Sequence, residues 1–279
     1  MRWRKGRRST NVEDRRGAPL RAGASIGGGA IIMALIAVFV LGQDPAEVIQ
    51  QIGSGVQQQS GSPPQRPQAE NEAADFVSVV LADTEDTWNG IFRQNGSRYQ
   101  LPTLVLYTRQ VQSACGFGSA AAGPFYCPGD SKLYLDLSFL GELQHMGAAG
   151  DFAVAYVIAH EVGHHVQNLA GIAHQVQAAK GRMSQADGNA LQVRMELQAD
   201  CYAGVWAHHA HQQRQILEPG DVEEGLRAAA TVGDDHLQRQ AGRRVTPEAF
   251  THGTSEQRMA WFRKGLDTGQ VGACDTFGG

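Results

Sequence analysis

The chain of 279 residues has no C-x-x-C pair, no internal repeat and, beyond residue 23, no surplus of positive charge. The first absence argues against a zinc knuckle built from its four cysteines. The second argues against a repeat array. As for the third, residues 1–23 carry eight basic against two acidic residues, whereas the remainder carries 16 basic against 26 acidic. An acidic body gives no electrostatic footing for nucleic acid.

Signals for cleavage of an N-terminal leader are also missing. Ala24 to Leu41 is uncharged and apolar over about the 17–20 residues a bilayer crossing needs. Val40-Leu41-Gly42 lacks a small-residue cleavage pattern, and Arg7-Arg8 lacks the apolar residues that follow a twin-arginine signal. The stretch 24–42 therefore reads as a retained single transmembrane helix. By the positive-inside rule, residues 1–23 are its cytoplasmic tail and everything after it is extracytoplasmic. Residues 43–70, with Gln57-Gln58-Gln59-Ser60-Gly61-Ser62-Pro63-Pro64 at their centre, read as a disordered linker.

What the chain does have begins at Asn71. Phe76, Val77, Val80, Leu81, Trp88 and Ile91 recur at helical spacing up to Asn95-Gly96. Thr103–Thr108 and Lys132–Leu137 are strand candidates. An apolar helix from Asp151 to about Ala170 follows. The rest is helical, over about 184–215, 221–240 and 254–266. The expected fold class is α+β: a mostly helical domain over 71–279 with a small sheet. The cysteines lie on the oxidising side of the expected span, where pairing is favoured. Cys115–Cys127 staples one glycine-rich loop, worth about 3 kcal/mol in the chain-entropy model, and leaves Cys201–Cys274. Sequence leaves all three connectivities open.

The Asp151 helix carries His160-Glu161-Val162-Gly163-His164. Residues four apart share a helix face, so His160 and His164 can bind one Zn²⁺ while Glu161, off the metal, acts as base toward water. A third ligand is needed. Leu191, Met195, Ala199, Tyr202 and Trp206 form an apolar stripe with Glu196 and Asp200 beside it. Carboxylates at a buried edge are costly unless paired or metal-bound; Glu196 as ligand, with Asp200 holding a ligand histidine, removes that cost. Asp234-Asp235-His236 is the reserve source of a third ligand. His165, about 100° round the helix from His164, reads as a packing or supporting residue. His208, His209 and His211 read as a solvated helix end.

The H-E-x-x-H helix followed by E-x-x-x-D resembles the gluzincin metallopeptidases. The whole chain resembles the "putative neutral zinc metallopeptidase" family of bacterial membrane proteins. The residues carrying the likeness are Met1–Arg4, Gly123–Pro128, Tyr134–Asp136, Ala159–Asn168, Glu196–Gly204 and His252–Arg258. That resemblance implies a zincin-like domain hydrolysing peptide bonds with Zn²⁺, at a bacterial cytoplasmic membrane, on peptide or protein substrates. Thr251–Arg258 is also similar to the T-H-P-x-x-x-x-R segment of CAAX-prenyl and HtpX-type membrane proteases. There the His and Arg lie near zinc and bind substrate or the oxyanion, which makes His252 and Arg258 catalytic candidates here. The chain departs from that pattern with Gly253 in place of proline and with one candidate span. Two other classes remain beside the peptidase: a zinc-binding scaffold without turnover and a zinc amidase acting on cell-wall peptides. Lys132–Leu137 is the expected cleft-side strand for an extended peptide.

Overall fold

A computed structural model describes residues 1–17, 67–119 and 123–278. The expected span at 24–42 lies outside these residues, as does the expected linker up to residue 66. The last residues of that linker, from Gln68, already belong to a helix. Among the described residues no helix is long and apolar enough to cross a membrane.

The sheet is held by period-two strands. It has four strands in the order β1 (Val12–Asp14), β2 (Thr103–Tyr107), β6 (Lys132–Asp136) and β5 (Phe125–Cys127). The pairs β1–β2 and β2–β6 are parallel, and β5 runs antiparallel to β6. A separate hairpin joins β3 (Gln110–Ser113) to β4 (Gly116–Ser119). Alternate side chains take opposite faces of a strand. Leu104, Leu106, Leu133 and Leu135 accordingly enter the main core, while Val105, Tyr107 and Tyr134 enter a smaller cluster with Val111 and Cys127.

Helices cover the main-core face. They are α1 (Gln68–Gln94), α2 (Phe139–His145), α3 (Asp151–Leu169), α4 (Ile172–Lys180), α5 (Gln185–Arg214), α6 (Asp221–Thr231), α7 (Asp234–Gln240) and α8 (Ser255–Thr268). The α3 sequence is apolar all round, which suits a helix running through a core: Phe152, Ala153, Ala155, Ala159 and Val162 are fully buried. Burying each large apolar side chain stabilises by about 1.5–3 kcal/mol. At the α3–α5 crossing Gly163 allows close approach, because a Cβ there would sit 2.9 Å from the Ala199 carbonyl oxygen. Asp151 is the first residue of α3, with Gly150 at the cap. The expected helix over 221–240 breaks at Gly233, where a Cβ would meet the Ser255 main-chain nitrogen at 2.5 Å. Both expected α5 and α8 starts have side-chain caps, Ser184 and Thr254, the latter completing a capping box with Gln257.

Two expectations are corrected. Lys132–Leu137 is not the cleft-side strand: β6 lies inside the sheet, and the edge facing α3 is β5. Nor are residues 1–17 a separate cytoplasmic tail. Val12–Asp14 pair in register with Leu104–Leu106, and Trp3 packs edge-on against Phe76 at 5.2 Å. The basic residues face α1: Arg4 meets Glu72 at 2.7 Å, Arg8 meets Asp75 at 2.5 Å, and Arg7 reaches the buried Glu85 at 2.8 Å. The Met1 ammonium lies 2.6 Å from Asp151. A bilayer between residues 1–17 and the domain is incompatible with this pairing.

Candidate metal centre

The sequence places His160 and His164 one turn apart on α3, and Glu196 on α5 faces them across the crossing that Gly163 permits. Glu196 Oε2 is 3.2 Å from His160 Nε2 and 3.5 Å from His164 Nε2. Donors about 2.0–2.1 Å from a tetrahedral zinc lie roughly 3.3 Å from one another. The three side chains therefore fit the ion in both donor type and spacing. The reserve group is not brought here: Asp234 bonds the His252 segment, and Asp235 caps α8 through Ser255.

Each ligand is oriented from behind, as metal ligands require. The Asp200 carboxylate accepts from His160 Nδ1 at 2.8 Å, which leaves the His160 Nε2 lone pair for a metal. Gln167 Oε1 accepts from His164 Nδ1 at 2.9 Å, while its amide donates to the Met195 carbonyl and to Gln198. Gln192 donates to Glu196 Oε1 at 3.0 Å. Asp200 was expected in this role. Gln167 and Gln192 were not, and the only signal for them is spacing: three residues after His164 and four before Glu196.

Electrostatics follow from burial and close charge. Burial alone would raise the Glu196 carboxyl, but His164 and His160 hold it well below its ordinary range. Burial likewise works against protonated His160, yet Asp200 and Glu196 outweigh it and push its pKa up to about 9 in the metal-free site. Protons and metal therefore compete for that nitrogen. Glu161 is buried beside the trio and is not one of its donors. Burial pushes its carboxyl up, against the pull of His164, His160 and the Tyr126 main-chain N–H.

His252 and Arg258 both line the same cleft, about 500 Å³ in volume, with His160, Glu161, His164 and Glu196. Their settings differ. His252 is half exposed, its Nδ1 3.1 Å from Asp234 Oδ1, while Asp234 Oδ2 accepts the main-chain N–H groups of Thr251, His252 and Gly253. Arg258 is buried and bidentate on Asp200 at 2.8 and 2.9 Å, with its third donor group on the Val232 carbonyl. Its guanidinium is 3.3 Å from His160 Nδ1, behind that ligand.

His165 is buried away from the trio. Its Nε2 donates to the Gln100 carbonyl at 2.7 Å, so its Nδ1 accepts from the Tyr126 hydroxyl at 2.9 Å. That bond, with one from Asn168 to the same hydroxyl, ties β5 to α3 beside Glu161. His208 and His209 bond the carbonyls of Leu266 and Gly269 at the end of α8. Both disulfides, Cys115–Cys127 and Cys201–Cys274, are formed.

Two helical histidines four residues apart, a glutamate from a later helix and a free glutamate beside them define a protein of the zinc-peptidase type. The chain belongs to the family described as "putative neutral zinc metallopeptidase", whose model matches residues 1–277. It is similar to the uncharacterized protein YpfJ of Escherichia coli (strain K12), with 49% identity over 287 aligned residues covering 100% of this chain and 99% of that one. It is also similar to the uncharacterized protein Rv2575 of Mycobacterium tuberculosis (strain ATCC 25618 / H37Rv), with 42% identity over 217 residues, 74% of this chain and 72% of that one. No solved structure matches.

Proposed function

We propose that this chain is a zinc-dependent peptidase at the extracytoplasmic face of the bacterial cytoplasmic membrane, with residues 1–17 and the rest of its folded domain together on that side. The observation that carries the enzymatic part is the spacing of His160, His164 and Glu196 around one point, with Glu161 beside it and off the donor set. A buried free carboxylate at that place has no use in a purely structural zinc site. The paired cysteines support that side, and the apolar stretch 24–42 supports association with the membrane.

Zn²⁺, when held by His160, His164 and Glu196, supplies Lewis acidity toward water and toward a carbonyl oxygen. The chain's own groups do the rest. Glu161 takes a proton from the attacking water and passes it to the leaving amine. The β5 edge offers main-chain pairing to an extended peptide, next to Glu161. His252 lines the cleft with its Nδ1 held by Asp234, which leaves Nε2 as a donor to the carbonyl oxygen.

The test is Glu161→Gln in the full chain, with zinc content, melting temperature and peptide turnover measured together. Zinc and fold are expected to persist while turnover falls about 100- to 10,000-fold. Equal turnover in the two proteins would remove Glu161 as base. Bound zinc without turnover in either would move the chain to the scaffold class.

A further inference from the structure

The charged side chains that line the metal cleft, among the described residues, are His160, Glu161, His164, Glu196, His252 and Arg258. None of them is free to hold the terminus of a peptide. Three are the metal trio and Glu161 is the base. Arg258, the one permanent cation, is 3% exposed and has both faces of its guanidinium fork committed, to Asp200 and to the Val232 carbonyl. His252 is tied through Nδ1 to Asp234, and its other ring nitrogen is the donor to the reacting carbonyl oxygen.

A terminal carboxylate or ammonium drawn into such a cleft loses its water and gains no partner, which is strongly unfavourable. A carboxylate is further repelled by Glu161 and Glu196. Apolar side chains meet the opposite condition. Phe125, Phe139, Val157, Met195, Val232 and Leu237 line the same space, and Phe125 is fixed by stacking on Tyr134 at 4.8 Å. The β5 strand that borders the cleft is the edge of its sheet, three residues between Pro124 and Pro128 along which an extended main chain can lie.

Resting on the peptidase reading above, we infer that this site is an endopeptidase site: it takes internal bonds of extended, unfolded polypeptide, next to an uncharged apolar side chain. Leu237, on α7 at the cleft wall, is a residue that sets this preference.

The experiment uses the zinc-loaded full chain and a quenched fluorescent peptide library in two forms, one with free termini and one N-acetylated and C-amidated. Cleavage sites are read by mass spectrometry and kcat/KM is compared. Both forms are expected to be cut at the same internal bonds at rates within a few-fold, and an apolar neighbour is expected to be favoured over a charged one by roughly tenfold or more. Leu237→Lys is expected to raise the relative kcat/KM for peptides with Asp beside the bond by about tenfold. Release of single residues or dipeptides only from free termini would overturn the inference and leave the peptidase reading standing. So would internal cleavage beside charged residues. Absence of any cleavage by zinc-loaded protein, with Glu161→Gln indistinguishable from it, would remove the reading and the inference together.

Discussion

At the scale of single residues, Asp200 governs the site without touching the metal position. Its carboxylate accepts from the Tyr156 hydroxyl at 2.5 Å, from His160 and twice from Arg258. Burial alone would raise its pKa, but Arg258 and His160 hold it below the ordinary range. Arg258 therefore acts on the ligand histidine through Asp200. Removing it with Arg258→Ala leaves a buried carboxylate uncompensated, which costs about 3–5 kcal/mol. Zinc occupancy and thermal stability are expected to fall together in calorimetry and metal analysis. An oxyanion role would instead spare both and lower the rate alone, by roughly 100-fold or more. The sequence reading reached Asp200 because its spacing from Glu196 is a helical i, i+4 step. A pairing between residues on α5 and α8 has no periodic signature, so nothing in the sequence ranks Asp200 above other buried acids as the partner of Arg258.

Among elements, β5 matters more than its three residues suggest. It is held to α3 by the Tyr126 bonds to His165 and Asn168, and to the hairpin region by Cys115–Cys127. Cys115 is exposed, whereas Cys201 and Cys274 are fully buried. Mild reductant should therefore open Cys115–Cys127 first. Turnover is expected to drop while bound zinc stays, because the trio sits on α3 and α5 and only the strand beside Glu161 is loosened. Zinc loss in step with activity would contradict this. The long helices were legible because their apolar spacing repeats over several turns, and β2 and β6 because they alternate. β5 was not: Phe-Tyr-Cys between prolines has no period to read. β1, Val-Glu-Asp inside a basic segment, looked like a tail for the same reason. The basic charges beside it looked like a membrane-orientation signal, and in the fold they are spent on Glu72, Asp75, Glu85 and Asp86 of α1.

For the whole molecule, residues 1–17 are part of the domain. A fragment of residues 68–279 loses β1 and leaves Glu85, 1% exposed, without Arg7, Ser9 and Asn11. Stranding that carboxylate costs about 3–5 kcal/mol, so the fragment should melt well below the full chain. A synthetic peptide of residues 1–17, added in excess, is expected to restore part of the loss, as mass action requires. Unchanged melting of the fragment would show the N-terminal segment to be dispensable. The pairing of Val12 with Leu104 also sets an order of events. The first strand to be synthesised has no seat until the chain has been made through Tyr107, so its docking closes a long loop and comes late. Biogenesis must bring both ends of that loop into one compartment before the sheet can be completed. A nascent chain whose N-terminus is caught on the other face of the membrane would present an unfinished sheet edge to whatever proteases or chaperones patrol it.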